Sequence, residues 1–330
     1  MSLKVALVGG GAIAAQHLQA LRRIDGLRAV AVADLNEARA SALAQQYDIA
    51  AYTNYRHMIE ACQPEMAIIS LPHHLHREAA EYCAFRGCHM LLEKPMAMNA
   101  RECTAIIEAA AAAGVQLMVG HTQQYIADNR VVKRLLRERE LGELAMIVET
   151  RHTDYFAARR PDWFLDKARA GGGILMNLGA HSIDKLQWLT DSRFVQVHAR
   201  LGYYGGRGDV EGNGLLLLET SRGVPVVIAQ SGYDNVQRHE TELLLTGGTI
   251  RLAPGQGVWL STGNGWEEVP VDRSADPYAL QLEELLLAVQ GRDTIRCTGA
   301  YARSVIEVIE AAYASAESGQ AQTVSRAERG

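Results

Sequence analysis

The stretch Leu3-Lys4-Val5-Ala6-Leu7-Val8, followed by Gly9-Gly10-Gly11-Ala12-Ile13-Ala14, decides the fold. Its apolar run is short and partly β-branched, which predicts a fully buried strand. A helical pattern opens directly afterwards, with Ile13, Leu18 and Leu21 on the apolar side. The turn between them has the form G-x-G-x-x-A, with Gly9, Gly11 and Ala14 at the key positions. Gly9 permits a tight turn, Gly11 admits close approach of the backbone to a pyrophosphate, and Ala14 lets helix and strand pack closely. The N–H groups and dipole at the helix start, around Gly11, Ala12 and Ile13, attract the anion.

A second apolar run, Leu27 to Ala33, ends in Asp34, which lies 34 − 9 = 25 residues past Gly9. An acid ~20 residues past the first glycine is expected to bind the adenosine ribose hydroxyls. Its carboxylate repels a 2′-phosphate, so NAD is expected as the cofactor and NADP disfavoured. Leu35 and Asn36 follow with no base beside them, and Arg39 reads as a solvated helix residue. Helices over 36–46, 55–61, 75–86 and 100–113 then alternate with apolar runs at 50–52, 66–70, 89–92 and 115–119. Strands alternating with helices of this length predict a doubly wound parallel sheet.

The 330 residues suggest two domains. The first is expected over 1–121. The texture changes near Gly120, so a second domain is expected over 122–330. There, after a helix over 127–138, Phe194 to Leu201, Leu215 to Glu219, Val224 to Ala229, Glu240 to Leu245, Thr249 to Leu252 and Val258 to Leu260 alternate apolar and polar residues. That pattern predicts a large, mostly antiparallel sheet with one covered face. Helices over 277–290 and 299–318 follow, then a polar tail after Val324. A net charge of −5 argues against a nucleic-acid or acidic-membrane partner. No run reaches the ~18 apolar residues of a spanning helix, and the chain enters a strand at once, with no signal peptide in view. The five cysteines, without a C-x-x-C pair, suit a reducing, cytoplasmic setting.

Ligands of open α/β sheets bind at the carboxyl ends of the strands. Ser70-Leu71-Pro72 with His76, Glu93-Lys94-Pro95 and Gly120 to Tyr125 fall there. Lys94 follows a buried strand, and an apolar wall lowers a lysine's hold on its proton. Glu93 is placed to fix Lys94 or to bind ribose. Further on, Gly171-Gly172-Gly173 leads into a helix carrying Asn177, His181 and Asp184. Four and three residues apart, these share one face. A histidine beside a carboxylate suits acid–base work near neutral pH. His73, His74 and His76 lack a matching acid or cysteine cluster, so no metal is expected. Arg207-Gly208-Asp209 reads as a chance turn.

These pieces, in this order, resemble the Gfo/Idh/MocA oxidoreductases, the glucose–fructose oxidoreductase and inositol dehydrogenase family. Glu93-Lys94-Pro95 is the most specific element, and Tyr278, Gln281, Gly291, Ser315 and Gly319 resemble the family's closing helices. The resemblance implies a Rossmann domain, plus an α/β domain whose open sheet joins copies into a homodimer or homotetramer. It implies NAD(P) at the glycine turn, with Ser70, Leu71, Pro72, His76, Glu93, Lys94 and Gln123 among the cofactor-binding residues. It implies a sugar-like substrate, with Lys94 and His181 handling its proton and oxygen, and Asn177 and Asp184 supporting them. One residue and one stretch depart from the family: Asn177 stands where many members carry aspartate, and Thr122-Gln123-Gln124 occupies a stretch where an arginine is common. Alternatives are a glycosidase with tightly bound, recycled NAD and a catalytically silent NAD-binding regulator. His152, Tyr155, Arg159, Trp163 and Tyr233 are candidates for the substrate lining.

Overall fold

Six apolar runs of the first 122 residues form one parallel sheet in the computed structural model, which describes residues 2–263 and 265–324. The strands are β1 (Leu3–Val8), β2 (Leu27–Ala33), β3 (Ala50–Tyr52), β4 (Met66–Ile69), β5 (His89–Leu92) and β6 (Leu117–Val119). Their order is β3-β2-β1-β4-β5-β6, every pairing parallel. Val5 to Val8 and Met66 to Ile69 are fully buried, as expected of strands covered on both faces.

Among the described residues one compact unit comprises 2–122 with 275–303, and the other 123–274 with 304–324. The sequence reading runs the second domain unbroken from 122; residues 275–303 instead pack within the first unit. There the apolar helix Pro277–Val289 lies on helix Ala12–Leu21, with Tyr278 edge-on to His17 at 5.2 Å. The polar tail predicted after Val324 lies outside the described residues.

The second sheet comprises β7 (Leu144–Asp154), β8 (Phe194–Gly202), β9 (Asn213–Thr220), β10 (Pro225–Ser231), β11 (Tyr233–Leu245), β12 (Gly248–Ala253), β13 (Gly257–Gly263), β14 (Gly265–Val269) and β15 (Gln322–Thr323). Its order is β14-β13-β12-β11-β7-β10-β9-β8-β15, antiparallel except between β7 and β10. The central strand β7 escapes the period-two reading because its inward positions include Glu149 and Arg151. No helix among the described residues is long and apolar enough to cross a membrane.

Glu149 meets helix Ala180–Thr190 from the sheet. Its carboxylate accepts from Ser182 Oγ at 2.9 Å and pairs with Lys185 Nζ at 2.8 Å, with both members of that pair wholly buried. Thr241 Oγ1 donates to it, Lys185 also donates to Thr241 Oγ1 at 2.7 Å, and His239 Nε2 lies 3.3 Å from the carboxylate. Burial opposes Glu149's charge, yet Lys185 and His239 hold its carboxyl well below the usual range. Burial and the Lys185 ammonium push His239 down to about 4. A histidine depressed in the fold takes up its proton first in the unfolded chain, so stability falls as the pH drops from about 6.5 to 4. The loss should reach about 3 kcal/mol. Urea midpoints between pH 7 and 4 should show this limb, and His239→Asn should flatten it.

Candidate functional site

In the first unit the strand order reverses between β1 and β4, so the ligand crevice lies beyond Val8 and Ile69. Gly9 leaves β1 at φ +103°, and a Cβ there would stand 2.4 Å from the Ser70 carbonyl oxygen. A Cβ on Gly11 would meet nothing within 4 Å, so the turn is open on that side. Gly11 is also the N-cap of helix Ala12–Leu21, with no side-chain cap and no acid in the first turn. The N–H groups around Ala12 and Ile13 therefore suit an anion, and the turn fits a dinucleotide pyrophosphate.

Asp34 is shaped for its place. Its Oδ2 accepts from Gly10 N–H at 2.9 Å and its Oδ1 from Asn36 N–H at 2.8 Å. Arg39 is not simply a solvated helix residue: its guanidinium reaches Asp34 Oδ2 at 3.1 Å. A base therefore does stand beside the acid, contrary to the sequence reading, because a residue five positions on, in the first helical turn, folds back over the carboxylate.

Ser70 Oγ donates to the Gly9 carbonyl at 3.1 Å, and Pro72 precedes the short helix His73–Leu75. His76 is fully buried. Its Nδ1 lies 2.9 Å from the Pro95 carbonyl and its Nε2 2.8 Å from the Leu71 carbonyl. It thus ties the loop after β4 to the loop that carries Lys94. Burial lowers its proton affinity, while the two carbonyls pull it back up.

Glu93 caps β5 from inside. Its carboxylate meets His17 Nε2 at 2.9 Å and accepts from Lys94 N–H at 3.1 Å. Burial opposes this charge, but the His17 bond and the nearby cations keep Glu93 below the usual carboxylate range. A Cβ on Gly120 would press on the carboxylate at 3.1 Å. Burial, with Glu93 adding, pushes the neighbouring Tyr278 phenol up to about 12. Lys94 itself is half-buried. His17 and Gly120 carry no motif, and only the buried face of the helix hints at His17.

The second unit carries a glycine-led helix of its own. Gly171 ends helix Lys167–Ala170 at φ +81°. A Cβ on Gly172 would overlap the Tyr313 hydroxyl, and one on Gly173 would lie 2.1 Å from the Glu211 carbonyl oxygen. These glycines serve close packing. The buried Glu211 carboxylate accepts from Gly173 N–H at 2.8 Å, Leu175 N–H at 3.0 Å and Tyr313 O–H at 2.9 Å. It was missed in the sequence because it lies 38 residues from the turn that it holds.

The chain then makes a π-helical turn, Leu175–Gly179, before the α-helix Ala180–Thr190. Asn177 is buried inside that turn and does not cap a helix, while His181 is half-buried and Asp184 wholly buried. Gln123, placed with the cofactor by the sequence reading, lies 3.4 Å from His181 Nδ1 through its Nε2 and is anchored by Asn129.

Tyr155 is core: burial pushes its phenol up to about 12, against the Arg160 guanidinium and Asn177. Tyr233 stacks on Phe156, and its hydroxyl ties Tyr204 N–H to the Gly202 carbonyl. Trp163 stacks on Phe164, Arg159 is exposed, and strand alternation puts His152 on the face opposite Glu149.

Residues 3–121 match the family model described as oxidoreductase family, NAD-binding Rossmann fold, and residues 129–251 match the Gfo/Idh/MocA C-terminal domain. The chain belongs to the Gfo/Idh/MocA oxidoreductase family. It is 29% identical over 177 residues to 1-carboxy-3-chloro-3,4-dihydroxycyclohexa-1,5-diene dehydrogenase of Comamonas testosteroni, covering 53% of this chain but only 44% of that enzyme. It is 28% identical to inositol 2-dehydrogenase 1 of Saccharopolyspora erythraea, covering 86% of this chain and 85% of that one. The crystal structure of GenD2 from gentamicin A biosynthesis in complex with NAD superposes with a TM-score of 0.87 at 26% identity, covering 98% of this chain and 97% of that one.

Glu211→Ala would strand two N–H groups and a hydroxyl, and should cost about 3 kcal/mol in urea denaturation. Glu211→Gln keeps an acceptor and should cost less.

Proposed function

We propose that this chain is an NAD-dependent oxidoreductase acting on a secondary alcohol or ketone of a sugar, polyol or sugar acid. The observation that carries the reading is Glu93, locked between His17 and the Lys94 N–H, which fixes a half-buried lysine at the carboxyl end of β5. A dinucleotide fits the turn at Gly9, Gly11, Ala12 and Ile13, with Asp34 at the adenosine ribose. Bound nicotinamide supplies the hydride acceptor or donor. Lys94 and His181 handle the proton and the oxygen of the substrate, while Asn177 and Asp184 orient substrate hydroxyls or His181. The names of the relatives, an inositol dehydrogenase and a dihydroxycyclohexadiene dehydrogenase, favour a ring bearing several hydroxyls.

The Asp34 carboxylate favours NAD, since it can accept from a ribose hydroxyl and repels a 2′-phosphate, and it holds Arg39 to itself. Removing it would free Arg39 to meet a 2′-phosphate. Copies of the chain pair through the open face of the second sheet, where Met146, Leu215 and Leu217 are exposed. The five cysteines, with no C-x-x-C pair among them, suit the cytoplasm.

The test is a panel of sugars, polyols and sugar acids with NAD, read by absorbance of the reduced nicotinamide. One substrate cluster should respond. Lys94→Ala should lower kcat by at least about 100-fold while NAD still binds; unchanged turnover contradicts the assignment. Asp34→Ala should bring the Kd values for NAD and NADP together in calorimetric titration, through tighter NADP.

A further inference from the structure

We propose that Gln123 is a positioning residue that holds His181 as the neutral tautomer with its proton on Nε2. His181 would then serve the reaction proposed above, on which this inference rests, as a hydrogen-bond donor and not as its base. The assignment starts from an atom whose role is fixed. The main-chain carbonyl of Gln123 can only accept, and Asn129 meets it at 2.8 Å through the nitrogen of its side-chain amide. That same nitrogen lies 3.2 Å from the Gln123 side chain, so the Gln123 atom facing it must be the oxygen. The Gln123 NH2 group is thereby turned away from Asn129 and faces His181 Nδ1 at 3.4 Å.

A donor facing a ring nitrogen requires a lone pair there. The neutral ring then carries its hydrogen on Nε2. An imidazolium would set Nδ1–H against the amide N–H groups, so the arrangement also disfavours the charged ring. Neither Gln123 nor Asn129 has freedom to turn: both are buried, and Asn129 keeps this orientation although its Oδ1 finds no hydrogen-bond partner among the described residues. The charged groups on the same helix are Asp184 and Lys185. Lys185 is committed to Glu149, and the bond to Nδ1 comes from Gln123.

The chemical consequence is a division of labour. An imidazole already protonated on Nε2 cannot take a proton there, and as an acid it would have to become an imidazolate. It can stabilise negative charge on a substrate oxygen through a fixed N–H, a preorganised role that needs no proton transfer. In the direction of oxidation the O–H proton is then left to Lys94 in its amine form, which becomes the ammonium.

The experiment is nitrogen-15 NMR of the histidine rings in the full chain without substrate, with His181 assigned by its loss in His181→Asn. Long-range proton–nitrogen correlations at pH 7 should show a protonated Nε2 and an unprotonated Nδ1. Gln123→Glu places an acceptor where the amide donates and should exchange the two nitrogen signals. A wild-type ring protonated on Nδ1, charged, or averaging between tautomers overturns the proposal, as does a folded Gln123→Glu with unchanged signals. If Gln123→Glu does not fold, the wild-type spectrum still decides. The reading needs no turnover. An Nε2–H ring in a chain that oxidises no polyol would sink the proposed function alone, and an active enzyme with an Nδ1–H ring would sink this inference alone.

Discussion

A carboxylate taken out of water must be surrounded by donors, and three such carboxylates organise this protein. Glu93 is met by His17 and by the Lys94 N–H, so the strand end and the lysine share one anchor. Glu211 holds the N–H groups of Gly173 and Leu175 at the entry to the helix that carries Asn177, His181 and Asp184. Glu149 grips the same helix from the sheet through Ser182 and Lys185. Each would be costly to bury alone. Each instead fixes an element on which a candidate functional side chain stands. Lys133 adds a fourth restraint by pairing with Asp191 and donating to the Leu189 carbonyl at the end of that helix.

The first sheet was legible because its central strands β1 and β4 are buried on both faces and read as apolar runs. Its turn was legible because pyrophosphate binding and close helix packing demand small residues at fixed spacing. The second sheet was legible only where its inward residues are apolar. β7, its central strand, carries Glu149 and Arg151 inward, so the polar anchors that seat the helix are what hid the strand. β14 and β15 are short edge strands with little pattern of their own. The placement of residues 275–303 could not be read because it rests on packing between segments some 250 residues apart, as in the Arg23–Asp276 pair.

The candidate site was legible to a similar depth. Lys94 and His181 stand out by motif, while their supports do not. His17 and Glu211 are distant in sequence from what they hold, and Asn129, six residues from Gln123, belongs to no motif that announces it. Arg39 shows the opposite failure: it was visible, but its contact with Asp34 depends on how the first turn of a helix folds back. Asn177, in the turn before the histidine helix, and Gln123, beside His181, both place neutral amides there. In the reaction proposed above, they bear on how the substrate oxygen is handled more than on cofactor binding.

The most direct measurement of the central claim, hydride exchange with nicotinamide, uses isotopic hydrogen. The alcohol that responds in the panel is prepared with deuterium on its carbinol carbon and turned over with NAD, and the reduced cofactor is analysed by mass spectrometry. The deuterium should be found in the nicotinamide ring. Its loss to water, or release of product with no labelled reduced cofactor, would contradict the assignment.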